Sequence, residues 1–206
     1  MNTINVVRKQ KSAIRKEMRN LLKQIPINMI ERESAIVSDK VLTSKEYLNS
    51  KKISVYLSMP NSEISTKAII HDIFQKDKIC YVPRWNEDAM DMVRLLSYQD
   101  YISLPVNRWN IPEPSHDYNY EIATELDLII MPGLAFDLQR NRLGHGKGYY
   151  DKYLAKCKNW VKENNRQLPK TMALSLESQL CKDKLLPTCI YDQKLDFIIT
   201  PYQIIM

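Results

Sequence analysis

The chain contains four glycines, all between positions 133 and 148, and three of them alternate: Gly144, Gly146 and Gly148. At ordinary usage a chain of 206 residues would hold about 14. Its other turns fall on Pro, Asn, Asp and Ser, so this chain reverses direction without glycine. The cluster therefore calls for a local reason. Two physical ones exist: a tight turn flanked by solvated basic residues, or a backbone that a ligand approaches closely.

The surroundings favour the ligand. The segment from Pro132 to Asp151 follows a run, Leu126 to Met131, that is apolar except for Asp127, and precedes a helix expected from about Tyr149 to Trp160. The apolar run reads as a strand buried on both faces. In α/β sheets, ligands sit beyond the carboxyl ends of strands, where a helix amino terminus offers free N–H groups. Glycines remove the side chains that would keep an anion from the backbone, and Arg142 and Lys147 add positive charge. The expectation is a phosphate cradle. Asp151, early in the helix, is placed either to hold Mg²⁺ against phosphates or to stabilise the helix start. The G-x-G-x-G spacing matches neither a Walker A loop nor a dinucleotide fingerprint.

The remaining pattern alternates strands and helices. Residues 5 to 24 read as a basic helix ended by Pro26, and Asn28 as the cap of a second helix from about 29 to 43. Ile53 to Leu57 is a strand closed by Pro60. Ser65 is placed to cap a helix with Ala68, Ile69, Ile70, Ile73 and Phe74 inward. Ile79 to Val82 reads as a strand stopped at Pro83, with a third at Met92 to Leu96. Residues 171–176 and 195–199 are two more. This order predicts an α/β fold: a three-layer Rossmann-like sandwich with a mainly parallel sheet, helices on both faces, and one domain over 1–206.

Charge and cysteine narrow the setting. A formal charge of +6 and a pI near 9.0 suit an acidic partner, whether nucleic acid, anionic lipid or a polyanionic small molecule. No apolar run is long enough to span a membrane, and the lysine-rich start lacks the apolar core of a signal peptide. Cys80, Cys157, Cys181 and Cys189 form no C-x-x-C pair, which argues against zinc-ribbon and thioredoxin chemistry. Reduced thiols and a cytoplasmic location follow, with mitochondrial targeting the lesser alternative. A nucleic-acid-binding module would account for Lys9, Lys11, Arg15, Lys16 and Arg19. It would not account for the glycines, and no nucleic-acid-binding motif is present. A sugar-phosphate isomerase or acyl-CoA transferase on a related scaffold would keep the cradle without ATP turnover.

The block from Pro132 to Asp151 closely resembles the signature of the 5-formyltetrahydrofolate cyclo-ligase family, roughly PGxxFDxxxxRLGxGxGYYD, and keeps every fixed position. Lys11-Ser12-Ala13-Ile14-Arg15, the stretch from Leu57 to Glu63 and the stretch from Trp109 to Pro114 resemble further blocks of that family. Met90 to Arg94 resembles its eukaryotic branch. The resemblance implies an ATP-dependent, Mg²⁺-requiring closure of 5-formyltetrahydrofolate to 5,10-methenyltetrahydrofolate by a monomer, with no nucleic-acid partner.

Carried over residue by residue, the resemblance implies a nucleotide site at Lys11, Ser12, Ala13, Ile14 and Arg15, and at Arg142, Leu143, Gly144, His145, Gly146, Lys147, Gly148, Tyr149 and Tyr150. Arg142 and Lys147 take the catalytic role on the transferring phosphoryl group. The folate side falls on Arg15, Leu57, Glu63, Trp109, and His145 through Tyr149. The metal-site aspartates fall on Asp151 and Asp192, with Asp196 the alternative to the second. Position 145 departs from the family's usual Arg or Tyr. A histidine there predicts tighter folate binding at pH 6 than at pH 8.

Overall fold

A computed structural model describes residues 3–86, 89–107 and 110–206. Helix α1 (Thr3–Leu22) leads into α2 (Ile27–Thr43) and the short α3 (Lys45–Asn49), followed by β1 (Lys52–Val55), α4 (Lys67–Gln75), β2 (Ile79–Trp85) and β3 (Met90–Leu95). After α5 (Tyr98–Ile102) come β4 (Leu128–Met131), β5 (Ala135–Asp137), β6 (Arg142–Leu143) and α6 (Tyr149–Asn164). The chain closes with β7 (Lys170–Leu174), a 3₁₀ turn (Glu177–Gln179), β8 (Leu180–Cys181), β9 (Phe197–Ile199) and β10 (Ile204–Ile205).

Seven strands form one sheet in the order β10-β9-β7-β4-β1-β2-β3. The five inner strands are parallel, and the edge strands β3 and β10 run antiparallel to their neighbours. Successive side chains of a strand point to opposite faces, and β4 uses both. Leu128 and Ile130 join the core with Val37 and Val41 of α2 and Ile69, Ile70 and Ile73 of α4. Ile129 and Met131 join the opposite core with Tyr150, Tyr153 and Leu154 of α6. Helices thus cover both faces, as the sequence predicted. Structures of this kind place their ligand crevice at the carboxyl ends of the parallel strands.

A second, three-stranded sheet, β6-β5-β8, carries the segment that leads to the glycine loop. Its Ala135 and Leu143 pack with Met18 of α1 and with Leu186. Asp137 is fully buried and accepts from the amides of Gln139, Asn141 and Leu186 at 2.9, 3.0 and 2.8 Å. One carboxylate therefore fixes both the turn before β6 and the loop after β8.

Several local expectations differ from the structure. Strand β2 runs through Pro83 to Trp85, because its ladder to β1 ends at Tyr81 and Pro83 pairs across only to Met92 of β3. The second helix starts at Ile27, with Pro26 rather than Asn28 at its cap; the Pro26 carbonyl accepts from Met29 and Ile30. Thr66, not Ser65, precedes α4, and its hydroxyl bonds the Tyr56 carbonyl at 2.7 Å instead of capping the helix. Ala68 is exposed. Among the described residues no helix is long and apolar enough to cross a membrane.

Candidate active site

A cavity of about 1030 Å³ opens beyond the carboxyl ends of β1, β2 and β4. One end is apolar, lined by Tyr56, Leu57, Met59, Trp85, Met90 and Ile111. The other is built from Lys11 and Arg15 of α1 and from residues 142–151. The lining is thus apolar toward one end and cationic toward the other.

Glu63 stands at the apolar end, 6% exposed. Its Oε1 accepts from the Met59 amide at 2.6 Å. Burial lifts its pKa to about 7, and the amide bond only partly offsets this. The turn around it is fixed by Tyr56, whose hydroxyl donates to the Ile64 carbonyl at 2.7 Å. Trp109 lies outside the described residues.

At the polar end, β6 delivers Arg142 with its side chain 5% exposed. Its Nη2 lies 3.2 Å from Asp151 Oδ2, and the guanidinium packs on the Tyr150 ring at 5.5 Å. Arg142 Nε is buried and donates to nothing among the described residues. Gly144 has to be small, since a Cβ there would lie 2.8 Å from Arg142 Nη1. Gly146 and Gly148 have φ of 116° and 71°, conformations that side chains disfavour. Gly148 is the N-cap of α6, so Tyr149, Tyr150 and Asp151 occupy its first turn. Lys147 is exposed on the cavity wall.

Helix α1 closes the wall. Lys11 pairs with Asp192, which also accepts from the Cys189 amide at 2.7 Å. Arg15 Nε donates to the Gly144 carbonyl at 2.8 Å, and Arg19 to the His145 carbonyl at 3.3 Å. The basic face that a nucleic-acid module would present is turned, at these three positions, onto the protein's own loops. Ser12 and Ala13 are exposed, and Ile14 packs beside Met18, Leu143 and Leu186.

Asp151 and Asp192 both line the cavity; Asp196 does not, being engaged by the Thr171 amide and hydroxyl at 2.9 Å each. Among the described residues no group of three or more His, Cys, Asp or Glu gathers. A metal here would take one or two carboxylates and complete its shell with phosphate oxygens and water, which is how Mg²⁺ binds. The donor set fits that ion. Burial raises the Asp192 pKa, and the bonds from Lys11 and the Cys189 amide more than reverse this, leaving it below its ordinary value.

His145 is the point where sequence reasoning needs correction. Desolvation first, then Arg19, Arg142 and Arg15, lower its pKa below the ordinary histidine value. The expected change in binding between pH 6 and 8 moves to lower pH. Sequence reasoning also missed Trp85, Met90 and Gln193, which line the cavity. The first two are a register pair of β2 and β3, and the rule that ligands lie past strand ends would have pointed to Trp85. The Gln193 amide donates to Asp151 Oδ1 at 3.2 Å, a contact no motif announces.

A model of the 5-formyltetrahydrofolate cyclo-ligase family matches residues 7–201. A Mus musculus protein named 5-formyltetrahydrofolate cyclo-ligase is 39% identical over 198 residues, 94% of either chain. A Schizosaccharomyces pombe protein named probable 5-formyltetrahydrofolate cyclo-ligase is 31% identical over 95% of this chain and 97% of its own. The solved structure of Aquifex aeolicus 5,10-methenyltetrahydrofolate synthetase superposes with a TM-score of 0.73 at 25% identity, covering 94% of this chain and 91% of that one.

Proposed function

The chain belongs to the 5-formyltetrahydrofolate cyclo-ligase family, and from that premise we propose that this cavity binds 5-formyltetrahydrofolate beside MgATP and closes the formyl carbon onto N10. The observation that carries the reading is the pairing, in one cavity, of a buried carboxylate on an apolar floor with a glycine loop ringed by cations. The products are 5,10-methenyltetrahydrofolate, ADP and phosphate, and residues 1–206 act as one catalytic unit.

A formamide carbonyl is a poor electrophile, and its oxygen is a poor leaving group. Transfer of the γ-phosphoryl group to the formyl oxygen remedies both. N10 then attacks the formyl carbon and loses its proton, and the C–O bond breaks with the oxygen departing in phosphate. The protein's task is to align two ligands and to meet developing negative charge. Arg142 supplies a buried guanidinium with an unengaged Nε, and Lys147 an exposed ammonium. Lys11 and Arg15 hold the polyphosphate, together with the amides of the glycine loop. Mg²⁺, held by Asp151 and Asp192, would screen the phosphate charge. Glu63 accepts two N–H groups from the amino-pyrimidinone edge of the pterin. Leu57, Trp85 and Tyr149 border the ring.

The test is an absorbance assay with folinic acid, Mg²⁺ and ATP, following the near-ultraviolet band of the methenyl product. A rise that requires both ATP and Mg²⁺ supports the reading. A folded protein that binds ATP yet gives no rise would overturn the folate assignment and leave the phosphate cradle.

A further inference from the structure

We propose that Arg19, which does not line the cavity among the described residues, is a positioning residue: with Arg15 it holds the glycine loop so that the amides of His145 and Gly146 are free to receive an anion. The two arginines are four apart on α1 and therefore share a face. They donate to two consecutive carbonyls, Arg15 to Gly144 at 2.8 Å and Arg19 to His145 at 3.3 Å. In a trans peptide the C=O and the following N–H point in opposite directions. Both carbonyls face α1, so the amides of His145 and Gly146 face away from it. Neither amide donates to a protein acceptor among the described residues. Successive amides aimed the same way form an anion-binding nest.

The strut is anchored. Met18 and Leu22, on the inner side of α1, are buried at 5% and 4% exposure, which fixes the helix that carries both guanidinium groups. Gly146 is called for by its φ of 116° and not by space, since a Cβ there would meet Arg15 Cζ at an ordinary 3.5 Å contact. The charges that face His145 are Arg15 and Arg19 from α1 and Arg142 from β6. All three oppose its protonation, which leaves the nest's electrostatics to the arginines rather than to a titrating imidazole.

This inference rests on the phosphate reading of the loop, and the experiment separates the two. Binding of MgADP and of inorganic tripolyphosphate is measured by calorimetry for the wild type, Arg19→Gln and Arg19→Lys. The amide shifts of residues 145 and 146 and the His145 titration are followed by NMR. Arg19→Gln is expected to weaken both ligands by about threefold, the scale of an exposed charge-assisted contact. It should also shift both amides and move the His145 titration up toward that of an ordinary histidine, with the unfolding temperature unchanged. Arg19→Lys should keep the titration low, because the charge remains, while recovering only part of the binding. Wild-type affinity in Arg19→Gln, with unmoved amide shifts, would overturn the positioning role. Failure of the wild type to bind either ligand would overturn the phosphate reading and this inference with it.

Discussion

Lys11 and Asp192, 181 positions apart in the chain, are bound to each other on the cavity wall. Under the proposed function a phosphate-binding cation and a metal-binding anion thus neutralise one another, and MgATP would insert between them. Lys11→Met is expected to raise the KM for ATP by about tenfold, on the scale of a lost charged contact. It also removes the main support for a depressed carboxylate. A group of that kind contributes stability above the ordinary aspartate pKa and loses it as the pH falls through the folded-state value. The wild type should therefore be the more stable at pH 7, and the difference should vanish in strong acid. Urea titrations of both proteins across pH check this.

Glu63 carries the opposite sign. Its folded-state pKa of about 7 lies above that of an unfolded glutamate. The folded protein therefore binds the extra proton, and stability falls as the pH rises from about 4.5 to about 7. The cost above that window is on the order of 3 kcal/mol. Glu63→Gln is expected to unfold at a higher temperature than wild type at pH 8, to lose that advantage at pH 4, and to bind folinic acid far more weakly. Calorimetric melts with and without folinic acid measure both effects.

Arg142 and Asp151 form the most buried charged contact of the site. Asp151→Ala is expected to lower turnover by about a hundredfold and to raise the Mg²⁺ needed for half-maximal rate. The variant leaves a nearly buried guanidinium without its carboxylate, so it should also lose about 2 kcal/mol of stability. Asp151→Asn, which retains an acceptor, should recover the stability and not the turnover. Steady-state kinetics against Mg²⁺, alongside urea titration, separate the two roles.

Gly144 leaves room for Arg142 Nη1, which donates to the Pro132 carbonyl while Nη2 of the same guanidinium pairs with Asp151. Gly144→Ala is expected to displace that guanidinium and depress kcat by about tenfold, with a smaller change in the Kd for folinic acid. Equal losses in both would show that the loop as a whole had moved.

Much of the plan was legible in the sequence. The run 128–131 is apolar at every position because both of its faces are buried, and the glycine cluster marks where backbone approaches Arg142 and takes positive φ. The less legible parts arise from contacts distant in sequence. Nothing near Pro83 indicates that the β1 ladder has already ended. A charged face on α1 looks solvated until residues 144, 145 and 192 supply its partners. His145 resembles a switch near neutral pH when read alone, and desolvation together with three arginines from two elements lowers its pKa. Asp192 and Asp196 are equivalent in a string; the fold sends one to the cavity and the other to Thr171.

The docking of α1 also bears on the protein's synthesis. The helix is translated before Leu143, Leu186 and Asp192, the residues that receive it. Until those are made, a strongly basic segment with half a hydrophobic face waits at the ribosome for its mate, and chains fold from the amino terminus as they are made. A nascent chain released before Leu186 would already contain β1, β2, β4 and the glycine loop, but would lack Leu186 and Asp192, two of the groups that receive α1. Truncated products would thus carry α1 with part of its docking surface missing.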